Sequence, residues 1–463
     1  MPPKESDALL HGNNDYSKQF SMDDEVDDGS SGRRGTCSLG GVSVLNNLVA
    51  KFKSNGCQVL TAVVVGALIG VAVVGKPNTQ RNSHRRPWLR SDFHDMGKNL
   101  TGPYQLVERQ VGHEFFDYYD FRDGPDSISS AGYQTYVGRK RAEEIGIMNV
   151  TKTDQPDGHG YQEFVYMSST PGVGPRDEHG SRLREAVRLE GKRRFHRGLF
   201  ILDVEHMPAG EGVWPAFWTT DEESWPNNGE IDIVEGINNQ DVVKTALHTS
   251  EDCDMYAHVP RYAWSGEWDS ATGIPDTFTG ELNYNNKVEA DNCWVMAPHQ
   301  WANQGCVAVS QENGTIGAAM NDIGGGVYVL EWDPTAGYIR SWVFKNGKVP
   351  KNLQQSITSV QRGDEEAVPD PSTWEVAPYA YFAIGDGSGC SSDHFRNHRL
   401  VINLAFCGTV AGNRFARDSP ALYDQWNVKN DSVATCNAYI DSDPKELEEA
   451  YWKIRGVYVY ERS

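Results

Sequence analysis

Residues 214–249 read W-P-A-F-W-T-T-D-E-E-S-W-P-N-N-G-E-I-D-I-V-E-G-I-N-N-Q-D-V-V-K-T-A-L-H-T. At the centre of this stretch, Glu230-Ile231-Asp232-Ile233-Val234-Glu235 alternates acidic with β-branched residues. A period of two is the signature of a β-strand. Alternation sends Glu230 and Asp232 to one face and Ile231 and Ile233 to the other, where they can pack into a core. The acidic face then holds like charges two residues apart, which costs stability unless water, a ligand or a shared proton relieves it. Glu235 breaks the alternation. A β-bulge, one extra residue in the strand, returns it to the acidic face and leaves Val234 near the core.

Two glutamates on one wall with an aspartate between them suit retaining glycoside hydrolysis. There, two carboxyl groups about 5–5.5 Å apart serve as nucleophile and as acid then base. An acidic, solvated strand is the commoner meaning of a bare E-x-D-x-x-E, but the context argues against it. Trp214, Trp218 and Trp225 come just before, and indoles exposed beside carboxylates are a usual way of holding sugar rings. For Trp214, a place in the core of a β-sandwich is an equal alternative.

His206-Met207-Pro208, W-P-A-F-W-T-T-D, W-P-N-N-G-E-I-D-I-V-E-G-I-N and L-H-T together resemble glycoside hydrolase family 16, in its laminarinase-type branch of endo-1,3(4)-β-glucanases. Y-Q-L-V-E at 104–108, I-G-G-G-V-Y-V-L-E-W at 323–332, V-I-N-L-A-F-C-G-T-V-A-G at 401–412 and Y-W-K-I-R-G-V-Y-V-Y at 451–460 extend the resemblance along the chain. It implies an all-β fold, a concanavalin-like β-jelly roll sandwich of two antiparallel sheets, with sugar lying across the concave one. Three stretches depart from the family pattern. S-I-S-S-A-G-Y at 127–133 replaces a Thr-His-Gly turn, and Thr409-Val410 replaces an acidic–aromatic pair. The segment 257–292 is longer than the pattern and adds Tyr262, Trp264, Trp268 and Tyr284, enough to reshape a cleft.

The resemblance and the strand geometry together assign Glu230 as nucleophile and Glu235 as acid/base. Carboxylate attack splits one hard displacement into two through a glycosyl-enzyme intermediate. Glu235 must start protonated near neutral pH, so burial or neighbouring anions have to raise its pKa, and Asp232 is the simplest such anion. Trp214, Trp218, Trp225 and His248 make the expected substrate-binding set. His248 acts from behind the carboxylates, although a core histidine bonded to backbone is nearly as good a reading. Cys390, His394 and His398 have the spacing of a metal set, but an oxidising compartment would put a lone cysteine into a disulfide. The chemistry needs no metal and no cofactor; a structural calcium, found in some of the family, stays open. The expected substrate is β-1,3 or mixed β-1,3/1,4-glucan. A transglycosylase in β-glucan assembly or remodelling would share every catalytic residue. A non-catalytic glucan receptor on this fold is expected to lack one or both glutamates.

The chain has 463 residues and a net charge of -21. That balance repels phosphates and argues against nucleic acid as a partner, while a neutral polysaccharide meets no such penalty. Residues 59–75, V-L-T-A-V-V-V-G-A-L-I-G-V-A-V-V-G, carry no charge. With Gly56, Cys57 and Gln58 they approach the ~20 residues that cross a bilayer, and they begin too far from Met1 for an ordinary cleaved signal peptide. The expected organisation is a disordered acidic cytosolic tail over 1–55, a transmembrane signal anchor over 56–75, a stalk over 76–98 and the catalytic domain over 99–463. Gly66 and Gly70 form a G-x-x-x-G, a weak signal for helix–helix dimerisation. The sequons at Asn99, Asn149, Asn313 and Asn430 follow the span, as do Cys253, Cys293, Cys306, Cys390, Cys407 and Cys436. They suit a glycosylated, disulfide-bonded, single-pass type II membrane protein whose catalytic domain is lumenal, in the secretory pathway or vacuole, or extracellular. Within that domain, strands are expected at Gly198–His206, Val327–Trp332, Tyr338–Phe344, Arg399–Phe406 and Trp452–Tyr460, with one convincing helix at Asp443–Tyr451.

Overall fold

Period-two alternation builds two eight-stranded sheets. The computed structural model describes residues 102–462, apart from 127–129, 155–160, 173–181, 256–258, 272–288, 299 and 364–366. The expected tail, membrane span and stalk, the Asn99 sequon and Tyr284 lie outside the described residues. Among the described residues no helix is long and apolar enough to cross a membrane.

One sheet runs Glu267–Trp268, Cys306–Val309, Lys244–His248, Glu230–Glu235, Val213–Thr220, Arg399–Phe406, Arg188–Gly191 and Tyr119–Phe121, every neighbour antiparallel. The other runs Ala380–Ala383, Tyr338–Lys345, Gly326–Asp333, Gly198–His206, Trp452–Arg462, Tyr161–Met167 and Met148–Asp154. Tyr104–Gln110 pairs with Trp452–Arg462 as well. All five strands expected from the sequence are present, Gly198–His206 and Arg399–Phe406 with the same bounds. This is a jelly-roll-like sandwich. Phe217, Ile231, Val234, Leu247 and Ile402 of the first sheet share one core with Leu202, Val204, Leu330, Trp332 and Ile339 of the second. Each such side chain, fully buried, contributes about 1.5–3 kcal/mol.

The helices fall elsewhere than expected. Asp443–Tyr451 holds only a five-residue 3-10 turn, Lys445–Glu449. It buries Leu447 alone, so it has no apolar stripe to support a longer helix. The longest helix among the described residues, Lys351–Arg362, does have one: Leu353, Ile357 and Val360 pack on Trp342, Phe344 and Tyr458 of the second sheet. Three short helices, Asn413–Asp418, Pro420–Trp426 and Ser432–Asp441, follow the Arg399–Phe406 strand. Asp431 caps the last by accepting from the Ala434 N–H. Phe415, Tyr439 and Ile440 pack on Val213, Leu404 and Phe406.

Three disulfides, Cys253–Cys390, Cys293–Cys306 and Cys407–Cys436, join all six cysteines that follow residue 250. The long segment 257–292 does not deliver its tryptophans to a cleft. Trp264 is buried, Trp268 packs against it, and Trp268 also meets Phe382 of the core. Among the described aromatics of this segment only Tyr262 is exposed, at 60%.

Candidate active site

The Glu230–Glu235 strand lies between Val213–Thr220 and Lys244–His248. Against the first, Ala216 faces Glu235, Phe217 faces Val234, Trp218 faces Asp232 and Thr220 faces Glu230. The register shifts between Phe217 and Trp218, which leaves Ile233 without a counterpart. Ile233 and Val234 therefore both turn into the core, and Glu235 rejoins the face of Glu230 and Asp232. On the other side the shift falls between Asp232 and Glu235, setting Lys244 opposite Glu235, Ala246 opposite Asp232 and His248 opposite Glu230.

The W-P-N-N-G turn delivers Glu230. Gly229 has φ 78°, and a Cβ there would stand 2.4 Å from the His394 carbonyl oxygen, so the position requires glycine. His398 Nε2 donates to the Asn228 carbonyl at 2.6 Å, and Asn228 Nδ2 donates to Asp221 at 2.6 Å. Thr219 Oγ1 lies 2.8 Å from His398 Nδ1. Burial holds His398 down at about 4, so it is a neutral strut for this turn. Cys390 is consumed by its disulfide, and the Cys390–His394–His398 spacing builds no metal set.

Around the three acids the contacts are short. Trp214 Nε1 donates to Glu235 Oε1 at 2.8 Å. Asp232 Oδ2 and His248 Nε2 are 3.0 Å apart, both side chains 8% exposed. His248 Nδ1 has no hydrogen-bond partner among the described residues. Behind the ring lies Gly305, at φ 67°: a Cβ there would come 2.9 Å from His248 Nδ1 and 2.3 Å from the Leu247 carbonyl oxygen.

Burial, then the charge of Asp232, raises both Glu230 and Glu235 well above the usual carboxylate range. Burial works against a charged His248. The hydrogen bond and charge of Asp232, with Glu230 and Glu235 behind them, outweigh it and bring the imidazole up to about 9. At neutral pH His248 is therefore a cation paired with Asp232. Glu230, Asp232 and His248 offer ligand atoms within 4.8 Å of one another, the spacing of a metal site. Without an ion the imidazole carries both protons and has no lone pair to give, and the trio is then a proton-bearing network. One strand face thus carries two carboxyl groups, each charge opposing ionisation of the other, beside the Asp232–His248 ion pair.

The tryptophans are not three equal platforms. Trp225 is 39% exposed and Trp214 is half-buried, but Trp218 is buried, which corrects the expectation of an exposed indole there. Trp218 Nε1 donates to Asn403 Oδ1 at 2.7 Å, and the Arg188 guanidinium lies 5.0 Å from its ring. The sequence reading missed Asn403, Arg188 and Lys244 as members of this face. Asn403 had a signal, an amide inside the apolar run R-L-V-I-N-L-A-F, facing the same way as Val401. Two departures from the family pattern touch each other: the Ser130 carbonyl accepts from the Thr409 N–H at 2.9 Å.

Comparison with known proteins gives a consistent picture. A family model described as "XgeA-like, catalytic GH16 domain" matches residues 116–460. The chain is 33% identical over 359 residues to a "probable endo-1,3(4)-beta-glucanase" of Neosartorya fischeri, covering 77% of this chain and 46% of that one. It thus spans about half the length of the curated relatives first matched. Among solved structures, an elongating GH family 16 beta-1,3-glucosyltransferase is similar at 29% identity and TM-score 0.58, covering 77% of this chain and 100% of that one. Laminarinase 16A from Phanerochaete chrysosporium, holding 6-O-glucosyl-laminaritriose in donor and acceptor sites, is similar at 26% identity and TM-score 0.57, covering 77% and 99%.

Proposed function

Since the chain belongs to glycoside hydrolase family 16, we propose that it is a retaining endo-β-glucanase acting on β-1,3 or mixed β-1,3/1,4-glucan. The observation that carries this reading is the bulged strand, which gathers Glu230, Asp232 and Glu235 on one face. Glu230 attacks the anomeric carbon, and Glu235 protonates the departing oxygen. A glycosyl ester on Glu230 results, which water hydrolyses with Glu235 now acting as base. Attack requires the anion on Glu230 and the proton on Glu235. The His248 cation and Arg188 both favour ionised Glu230. Positive charge developing on the sugar ring beside Glu230 favours it further, so substrate itself selects the reactive arrangement of a coupled pair. Of the three indoles that precede the acidic strand, Trp225 and Trp214 are the ones exposed enough to receive sugar faces. Glu230→Ala should abolish release of reducing ends from laminarin while leaving circular dichroism unchanged; wild-type turnover by that variant refutes the assignment.

A second reading, transglycosylation in glucan assembly or remodelling, is favoured by the similarity to the elongating glucosyltransferase. Incubation with laminari-oligosaccharides separates the two, since products longer than the substrate require transfer to sugar.

The same chain is proposed to be a single-pass type II membrane protein, anchored over 56–75 with its catalytic domain lumenal or extracellular. Three sequon asparagines, Asn149, Asn313 and Asn430, are exposed, and six cysteines are paired, as an oxidising, glycosylating compartment would produce. Endoglycosidase treatment of the protein from its native source should increase its gel mobility; no change refutes the glycosylated placement.

A further inference from the structure

Lys244 stands directly opposite Glu235 across the strand pair, on the acidic face. Side chains in directly opposed positions have Cβ atoms about 4.5–5.5 Å apart, within reach of strong charge interaction. An ammonium there opposes what a proton donor needs, because it favours the carboxylate. The structure supplies the remedy from a distant segment. Asp269 Oδ2 lies 2.5 Å from Lys244 Nζ, with the two side chains 29% and 20% exposed. Asp269 is held on both sides: its N–H donates to the Val307 carbonyl at 2.8 Å, and its carbonyl accepts from the Ala290 N–H at 2.8 Å. Its other carboxylate oxygen accepts from the Ser270 N–H at 2.9 Å.

We propose that Lys244 and Asp269 form a counter-ion pair that sets the proton affinity of Glu235, with Asp269 as the positioning residue that keeps the lysine charge neutralised. Asp269 belongs to the segment that exceeds the family pattern, so this chain's extra length reaches the acidic face through a carboxylate and not through its tryptophans. Among the described residues the groups facing Glu235 are few. Glu230 and Asp232 come from its own strand, Lys244 and His248 from the next, and the uncharged Trp214 N–H from the strand on the other side. Of these, Lys244 alone has a charged partner outside the acidic cluster.

The pair makes opposite predictions for its two halves. Asp269→Asn leaves the ammonium uncompensated and lowers the pKa of Glu235 by about one pH unit, whereas Lys244→Gln leaves an unpaired anion nearby and raises it by a similar amount. Lys244→Gln/Asp269→Asn removes both charges and returns most of the way to wild type. A salt bridge that only braced the sheet would destabilise in both single variants without moving the carboxyl in opposite directions.

The inference rests on reading Glu235 as the proton donor, so the test has one arm that does not use turnover. Carbodiimide reacts with protonated carboxyl groups, and the pH dependence of Glu235 labelling in the full chain, read by peptide mass spectrometry, reports its titration. Opposed shifts in the two single variants and their cancellation in the double support the pair. Identical titration in all four proteins, or shifts of one sign, overturns it. The alkaline limb of glucan hydrolysis should move with the labelling curve. If no glucan is cleaved, the functional reading fails while the labelling still decides the pair.

Discussion

His248→Gln tests whether the acidic face holds its proton where the structure puts it. The imidazole is buried and 3.0 Å from Asp232, and its pKa rises from 6.5 to about 9 on folding. Because the folded pKa lies above the unfolded one, the stabilisation is complete below the unfolded value and is lost as the pH climbs through the folded one. A rise from 6.5 to about 9, at ~1.4 kcal/mol per pH unit, corresponds to ~3 kcal/mol. Glutamine keeps the bulk near Asp232 but carries no charge. Glu230 and Glu235, also raised, lose their own contribution from 4.5 upward in both proteins and largely cancel in the comparison. In the variant they lose the nearby cation, which trims the difference. Urea unfolding followed by tryptophan fluorescence should show wild type ahead by about 3–5 kcal/mol at about pH 6, the usual cost of breaking a buried pair. That lead should shrink by ~2–3 kcal/mol at about pH 9.5. A lead that stays constant across this range would mean that His248 does not carry its second proton on Asp232, and the account of the face as a proton store would fall.

Three further outcomes follow from the same geometry. Glu235→Gln should cost about 10²–10⁴-fold in kcat on glucan, yet far less on an aryl glycoside whose leaving group needs no proton; equal losses on both substrates argue against the acid/base role. Trp214→Phe removes the N–H that favours ionised Glu235, so the alkaline limb of the pH–rate profile should move upward, and an unmoved or lowered limb contradicts the contact. Gly305→Ala forces a Cβ to 2.3 Å from the Leu247 carbonyl at a positive φ. It should destabilise by about 1–3 kcal/mol and lower the His248 pKa seen by NMR, whereas wild-type values for both would show that the backbone behind the ring is free to move.

What the sequence made legible was local. In E-I-D-I-V-E the charges cannot all face the core, so a bulge is the one way to bury Ile233 and Val234 while keeping Glu235 outside; the register shift at Asp232/Glu235 is that solution. Arg399–Phe406 was equally plain, eight residues whose alternation sets Leu400 and Ile402 in the main core. The helices were harder. Lys351–Arg362 did carry an apolar 353, 357, 360 stripe, but its other residues are polar and it is a third layer against a sheet whose outer face the sequence does not announce as apolar. The segment after Cys407 is punctuated by Gly408, Gly412 and Pro420, which break helical periodicity into pieces too short to read, and a disulfide to Cys436 together with packing on Phe406 holds it.

The harder case is a charge whose partner is remote. Lys244 is one polar residue in V-V-K-T-A-L-H-T, and Asp269 follows a tryptophan in a segment whose plainest feature is its added aromatic residues. Nothing in either neighbourhood says that they meet, because the contact depends on three strand pairings in a row: Glu235 with Lys244, Lys244 with Val309, and Val309 with Glu267. Each is fixed by burying Leu247, Ala308 and Trp268 on the opposite face, so hydrophobic register, not charge attraction, brings the ion pair to the acidic face. It follows that the chemistry of this face is more evolvable than its architecture. A substitution at Asp269 or Lys244 can retune Glu235 without disturbing any pairing, while a one-residue slip at Leu247 would turn His248 and Lys244 into the core together.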